Sequence, residues 1–183
     1  MRTLFISLLS LLLITVMAPG MRAQRVGGIS EQQFNNMTLD VGKAYREKNV
    51  DKATALAEEL LKVAPDFAEH WNYGNAIHVG NLVLGLVGLD RDDLIEAKSR
   101  LLEAGKTPGS PQLKTFGPNM LLADRLLKKG ESAVVVKYLD ECRSFWKRDA
   151  EDDKLSLWKK AIANGEPVDF GANLRYYVGP SGQ

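Results

Sequence analysis

Residues 84–105 read LGLVGLDRDDLIEAKSRLLEAG. After the acidic turn, Leu94, Ile95, Ala97, Leu101, Leu102 and Ala104 recur at helical spacing, and Gly105 stands where a C-capping glycine closes a helix. The next letters, Gly105-Lys106-Thr107, are those of a phosphate-binding loop. Such a loop needs another glycine five positions earlier and a strand before it, because its backbone N–H groups wrap the phosphates. Position 100 is Arg and the preceding segment has a helical period, so the nucleotide reading fails on spacing and on context. Thr107, Pro108 and Gly109 read instead as a turn, with Ser110 as the N-cap of a new helix and Pro111 at its first position.

Outward from this stretch the same period persists, and no segment alternates as a strand does. The predicted class is all-α. Ser30 caps a helix running to Lys48, and Asp51 caps KATALAEELLKVA, which Pro65 stops. A long apolar helix is expected from Ala68 to Leu89. Further helices are expected from Pro118 to Lys129, Ser132 to Lys147 and Asp153 to Ala163, the last ended by Asn164 and Gly165. Helices joined by such short turns pack as antiparallel hairpins.

The hairpins repeat. One copy has Leu84, Gly85, Ala97, Leu101 and Ala104; an earlier one has Gly42, Tyr45, Ala53, Ala57 and Pro65; a later one has Leu122, Ala123, Gly130, Val135, Leu139 and Cys142. On these residues the chain resembles the tetratricopeptide-repeat family, whose unit is a helix pair of about 34 residues. The resemblance spans residues 33–147 and implies an α-α superhelix of three degenerate hairpins (TPR-like), followed by an extra helix and a tail. Small residues fit the close helix crossings, and larger ones fill the space between hairpins. The phrases WNYGNAIHVGN, EAGKTPGSPQL, FGPNM and DFGANL are also similar to those of uncharacterised bacterial exported repeat proteins.

At the N-terminus, Arg2 precedes the apolar run LFISLLSLLLITVMA, too short and interrupted for a comfortable membrane span and of the form of a secretory signal. Cleavage after Ala23 or Gly20 fits the small residues there. Export to the periplasm or medium is the expectation. The expected divisions are a signal at 1–23, a linker at 24–29, the repeat domain at 30–165 and a packed tail at 166–183. Removing residues 1–23 takes Arg2 and Arg22 from 24 basic side chains and none from 23 acidic ones, so the mature charge is −1. That balance offers no footprint for nucleic acid. Cys142 is the only cysteine, so no lipid-anchor cysteine lies near the cleavage region and no intrachain disulfide can form.

Catalytic signatures are missing from the sequence. His70 and His78 are eight apart, not the one-turn spacing of a helical zinc pair, and no serine sits in a Gly-x-Ser-x-Gly turn. No cofactor, metal or catalytic activity is expected. Trp71, Asn75, His78 and Leu82 share one helical face, so two polar groups interrupt an apolar stripe. They either satisfy carbonyls of the 104–119 loop or, with Lys106 and Asn119, form a polar spot that orients a small ligand.

The family resemblance implies a protein or peptide partner held on the first helices of the hairpins. Its groove positions fall on Asn36, Leu39, Lys43 and Arg46, then Val79, Leu82 and Leu86, then Met120, Asp124 and Leu127. That groove is either open or filled by the chain's own tail. Phe170, Leu174, Tyr176 and Tyr177 make residues 168–177 too apolar for a solvated tail, so they are expected to pack as an extended segment. The expectation is a scaffold, monomeric or weakly dimeric. A small-ligand protein and a structural subunit of an envelope complex are the alternatives.

Overall fold

Ser30 opens the helical part of the chain with a reciprocal cap. Its hydroxyl accepts the Gln33 N–H at 3.2 Å, and Gln33 Oε1 accepts the Ser30 N–H at 2.8 Å. The computed structural model describes residues 25–26, 28–147 and 153–178. Among them run α1 (Glu31–Arg46), α2 (Val50–Val63), α3 (Tyr73–Asp90), α4 (Leu94–Gly105), α5 (Pro111–Phe116), α6 (Leu121–Lys128), α7 (Ser132–Cys142) and α8 (Lys154–Ala163). Short 3-10 turns occupy Ala64–Phe67 and Gly171–Leu174. Among the described residues the chain is all-α apart from a minimal antiparallel pairing of Arg25–Val26 with Ile29–Ser30, which falls where a linker was expected. The expected leader, residues 1–23, lies outside the described residues.

Among the local expectations that change, three bear on packing, while α6 begins at Leu121 instead of Pro118 and α7 ends at Cys142 instead of Lys147. Asn49, not Asp51, caps α2, accepting the Lys52 N–H at 3.2 Å. The apolar helix begins at Tyr73 instead of Ala68, because residues 67–73 close two successive turns, His70 N–H to Phe67 O and Tyr73 N–H to His70 O. Gly105 is not a left-handed cap but the last residue of α4. A methyl there would stand 2.9 Å from the Tyr138 and Glu141 side chains, so the glycine permits close approach of α7.

Helix direction follows from the contacts. Phe34, early in α1, stacks at 4.2 Å on Phe67, just past the end of α2, so this pair is antiparallel. In α3 and α4, His78 meets Ala104 while Gly88 lies against Ala97, again antiparallel. Neighbouring hairpins run in step: Thr38 and Tyr45 of α1 reach Asn72 and Asp90 at opposite ends of α3. Likewise Lys98 of α4 bonds Glu131 before α7, and Gly105 at its other end abuts Tyr138.

A recurring turn sets this register. Lys48 (φ 58°), Asp92 (φ 57°) and Gly130 (φ 82°) each take the left-handed conformation just past α1, α3 and α6. The next amide, of Asn49, Asp93 or Glu131, donates back to Ala44, Gly88 or Leu126. Counted from that turn, Ala53, Ala97 and Val135 are equivalent, as are Ala57, Leu101 and Leu139, and Leu60, Ala104 and Cys142. All nine are 0% exposed. The same register pairs Gly85 with Val41 and Ala123, not with Gly42. Gly85 makes room for Leu122 of α6, whereas Gly42 makes room for the Tyr177 carbonyl.

α3 is the centre of the molecule, packed by α1, α2, α4, α5 and α6. Apolar residues all around a helix lead to burial on every side, and all of residues 78–89 are buried. The end of the chain is fastened from three sides. Trp158 Nε1 donates to Asp169 O at 2.9 Å, the Phe170 ring lies 5.0 Å from that of Trp158, and Met120 N–H donates to Asn173 O at 2.8 Å. Asn173 Nδ2 in turn donates to Phe116 O and Pro118 O. This segment is turned, not extended, with Tyr177 at φ 59°.

Candidate functional site

The polar residues of α3 face a loop that needs partners. Between α4 and α6 the chain makes only the short α5, leaving backbone and hydroxyl groups that must bond elsewhere when buried. Thr107 Oγ1 donates to Gly74 O at 2.7 Å, and a methyl on Gly74 would overlap the Gly109 carbonyl. Ser110 caps α5 as expected, accepting the Leu113 N–H at 3.0 Å, and the same hydroxyl donates to Asn75 Oδ1 at 2.6 Å. Asn75 Nδ2 donates to Asn72 Oδ1 and Gln112 Oε1, and Asn72 Nδ2 donates to Thr38 Oγ1 of α1. One amide network therefore joins α1, α3 and α5.

His78 performs the same task for α4 and α6. Its Nδ1 lies 3.2 Å from Ala104 O, and its Nε2 accepts the Asn119 N–H at 3.0 Å. With one nitrogen donating and the other accepting, the imidazole is neutral. Complete burial, partly offset by the Ala104 carbonyl, lowers its pKa from 6.5 to about 4. Asn119 is equally committed: its Oδ1 accepts the Leu121 N–H at 2.8 Å, and its Nδ2 donates to Tyr176 O at 2.5 Å.

The expected polar spot is thus only partly assembled. Asn75, His78 and Asn119 come together; the carbonyl-satisfying alternative describes His78, which meets Ala104 O, whereas Asn75 bonds the side chains of Asn72, Ser110 and Gln112. Trp71 lies before α3, half exposed beside His70. Lys106 points away, its Nζ 2.6 Å from Glu103 Oε1, a bond that raises its pKa together with the charge of that carboxylate. Cys142 is fully buried, and burial pushes its thiol far above the ordinary range, so no thiolate forms near neutrality.

The expected groove needs a larger correction. Val79, Leu82, Leu86 and Met120 are all 0% exposed and belong to the core, because α3 is enclosed by its neighbours. Asp124 pairs with Lys128 at 2.6 Å and faces a different cleft, of about 530 Å³, shared with Leu127, Ile162 and Val168. Lys43 is exposed, with Glu47 at 3.9 Å. Arg46 does line an open cleft, of about 640 Å³, with Tyr45, Lys48, Val50, Asp90, Arg125 and Val178.

Sequence reasoning missed how that cleft is built. Arg125 donates to Asp90 Oδ1 at 2.6 Å and to the Tyr45 hydroxyl at 2.9 Å, while that hydroxyl donates to Asp90 Oδ2 at 3.0 Å. This triad ties together the ends of α1, α3 and α6. Burial and then the Asp90 charge raise the Tyr45 pKa to about 12. Tyr45 was visible as a repeat position, but no local pattern announces partners 45 and 80 residues away. With Arg125 and Asp90 paired to each other, Arg46 and Lys48 give the cleft a positive rim.

The tail runs between the cleft and the polar cluster. Asn119 grips the Tyr176 carbonyl, the Tyr177 carbonyl presses against Gly42 of α1, and Val178 reaches the cleft. No family model, curated protein or solved structure matches the chain. Among the described residues, no helix is long and apolar enough to cross a membrane, and no group of three or more His, Cys, Asp or Glu gathers as metal ligands would.

Proposed function

We propose that this chain is an exported, tetratricopeptide-like scaffold that holds a peptide segment of a partner protein and performs no chemistry of its own. The superhelical reading draws support from the shared turn at Lys48, Asp92 and Gly130 and from first helices that run parallel from hairpin to hairpin. One observation carries the binding reading: between α1 and α6 the molecule already holds a piece of chain by its carbonyls. Asn119 donates to Tyr176 O, and the missing side chain at Gly42 admits the carbonyl of Tyr177. A surface that secures main chain in this way tolerates many side chains, as peptide-holding surfaces do.

The cleft at Val178 extends that surface, and its Arg46 and Lys48, unpaired among the described residues, favour an acidic or carboxylate-bearing stretch of the partner. Affinity capture from envelope extract tests the reading. The parent chain is expected to retain a specific protein that a doubly substituted Arg46→Glu, Lys48→Glu chain, still showing a native helical spectrum, does not. Equal retention by both forms would sink it.

A further inference from the structure

Beside the tail, on the side away from the cationic cleft, lies a second opening of about 160 Å³, bounded by Leu113, Phe116 and Gly117 and by Tyr176 and Tyr177. Its floor is formed by Asn75, His78 and Asn119. Polar floors normally suit polar ligands, but this one has little left to give. Both hydrogens of Asn75 Nδ2, both nitrogens of His78 and the Oδ1 of Asn119 are used within the protein. The imidazole is neutral, so the floor holds no charge to attract an ion. Gln112 differs: its Oε1 accepts from Asn75, and among the described residues no acceptor meets its Nε2.

The rim is aromatic. Phe116 is 56% exposed, with its ring 6.4 Å from that of Tyr176. A large exposed ring beside a partly enclosed, uncharged recess is the arrangement that anchors side chains at interfaces. Size narrows the class further, since a cavity of about 150 Å³ accommodates one benzene ring.

We infer that this cavity receives one aromatic side chain, phenylalanine or tyrosine, of the bound peptide, packed against the Phe116–Tyr176 ring pair, while Gln112 Nε2 donates to the peptide backbone. The inference rests on the peptide-holding reading and adds a specificity to it: partners carry an aromatic residue in the segment that lies along the tail.

The test is an amide-resolved NMR titration of the full chain with N-acetylphenylalaninamide, with N-acetylglutamate amide and toluene as parallel probes. Saturable shifts confined to residues 112–119 and 174–177 are expected for the phenylalanine probe, with a Kd on the order of 1 mM. Phe116→Ala, exposed and therefore compatible with folding, is expected to weaken that binding about tenfold. No saturable shift, an equal response to the glutamate probe, or indifference to Phe116→Ala would overturn the inference. So would binding of toluene without the phenylalanine probe, which would make the cavity a site for free aromatic molecules. Because the titration uses no partner protein, its failure leaves the scaffold reading standing, and a failed capture leaves the cavity result intact.

Discussion

Two polar regions flank the tail, and they have opposite characters. Around His78 and Asn75, the polar atoms are buried and bonded to one another or to loop carbonyls and amides. Around Tyr45, Asp90 and Arg125, the bonded triad forms the wall of an open cleft, and among the described residues Arg46 and Lys48 have no ion-pair partner at its rim. Buried polar groups that satisfy one another specify a structure; charges left without partners at a concave surface are available to a ligand. Changes in the first region should therefore cost stability, and changes in the second should cost binding.

The largest loss is expected for Gly74→Ala, whose methyl would overlap backbone at Gly109 with no flexible side chain to yield. Thermal or urea unfolding should show a loss of about 4 kcal/mol. His78→Leu comes next. It leaves Ala104 O and the Asn119 N–H buried without partners, a loss of about 3 kcal/mol. Acid tests the same residue without mutation. Burial holds the His78 pKa at about 4, below its ordinary 6.5, so the unfolded chain takes up the proton first as pH falls. Its contribution is complete above pH 6.5 and is lost between 6.5 and 4. Within that window stability falls by about 1.4 kcal/mol per pH unit, and a His78→Gln chain should lack this component of the slope.

Tyr45→Phe, on the open side, should cost only about 1 kcal/mol, since its bonds lie where water can replace them. A loss as large as that of His78→Leu would mean that the triad is a core element and the comparison is drawn wrongly. Lys48→Gly is expected to move stability the other way, by about 0.5 to 1 kcal/mol, because Lys48 holds the left-handed conformation that glycine adopts without strain.

Helix positions were legible in the sequence wherever local chemistry decides them. Ser30, Ser110 and Asp153 cap α1, α5 and α8, and the small residues Ala53, Ala97 and Ala104 mark the inner face of the second helices. What failed was non-local. The groove expected on Val79, Leu82 and Leu86 presumed that one side of α3 faces solvent, but α3 is apolar around its whole circumference. Its surroundings depend on α5 and the loop 106–119, whose placement rests on bonds across more than 30 residues. Asn75 and His78 could be singled out by their place on an apolar stripe, whereas Lys106 entered with the 104–119 loop expected across that stripe, and a surface ion pair turns it away. The tail's apolar character showed that it must pack. Where it packs is decided by Gly42 and Asn119, which single out no partner in one dimension.

The most direct test compares capture from envelope extract by three folded chains: the parent, Arg46→Glu with Lys48→Glu, and Lys106→Glu. If binding resides at the open end of the α1–α3–α6 surface, the parent and Lys106→Glu retain the same protein and the double variant loses it. Loss with Lys106→Glu but retention by the double variant would contradict the account and return the functional site to the loop after α4.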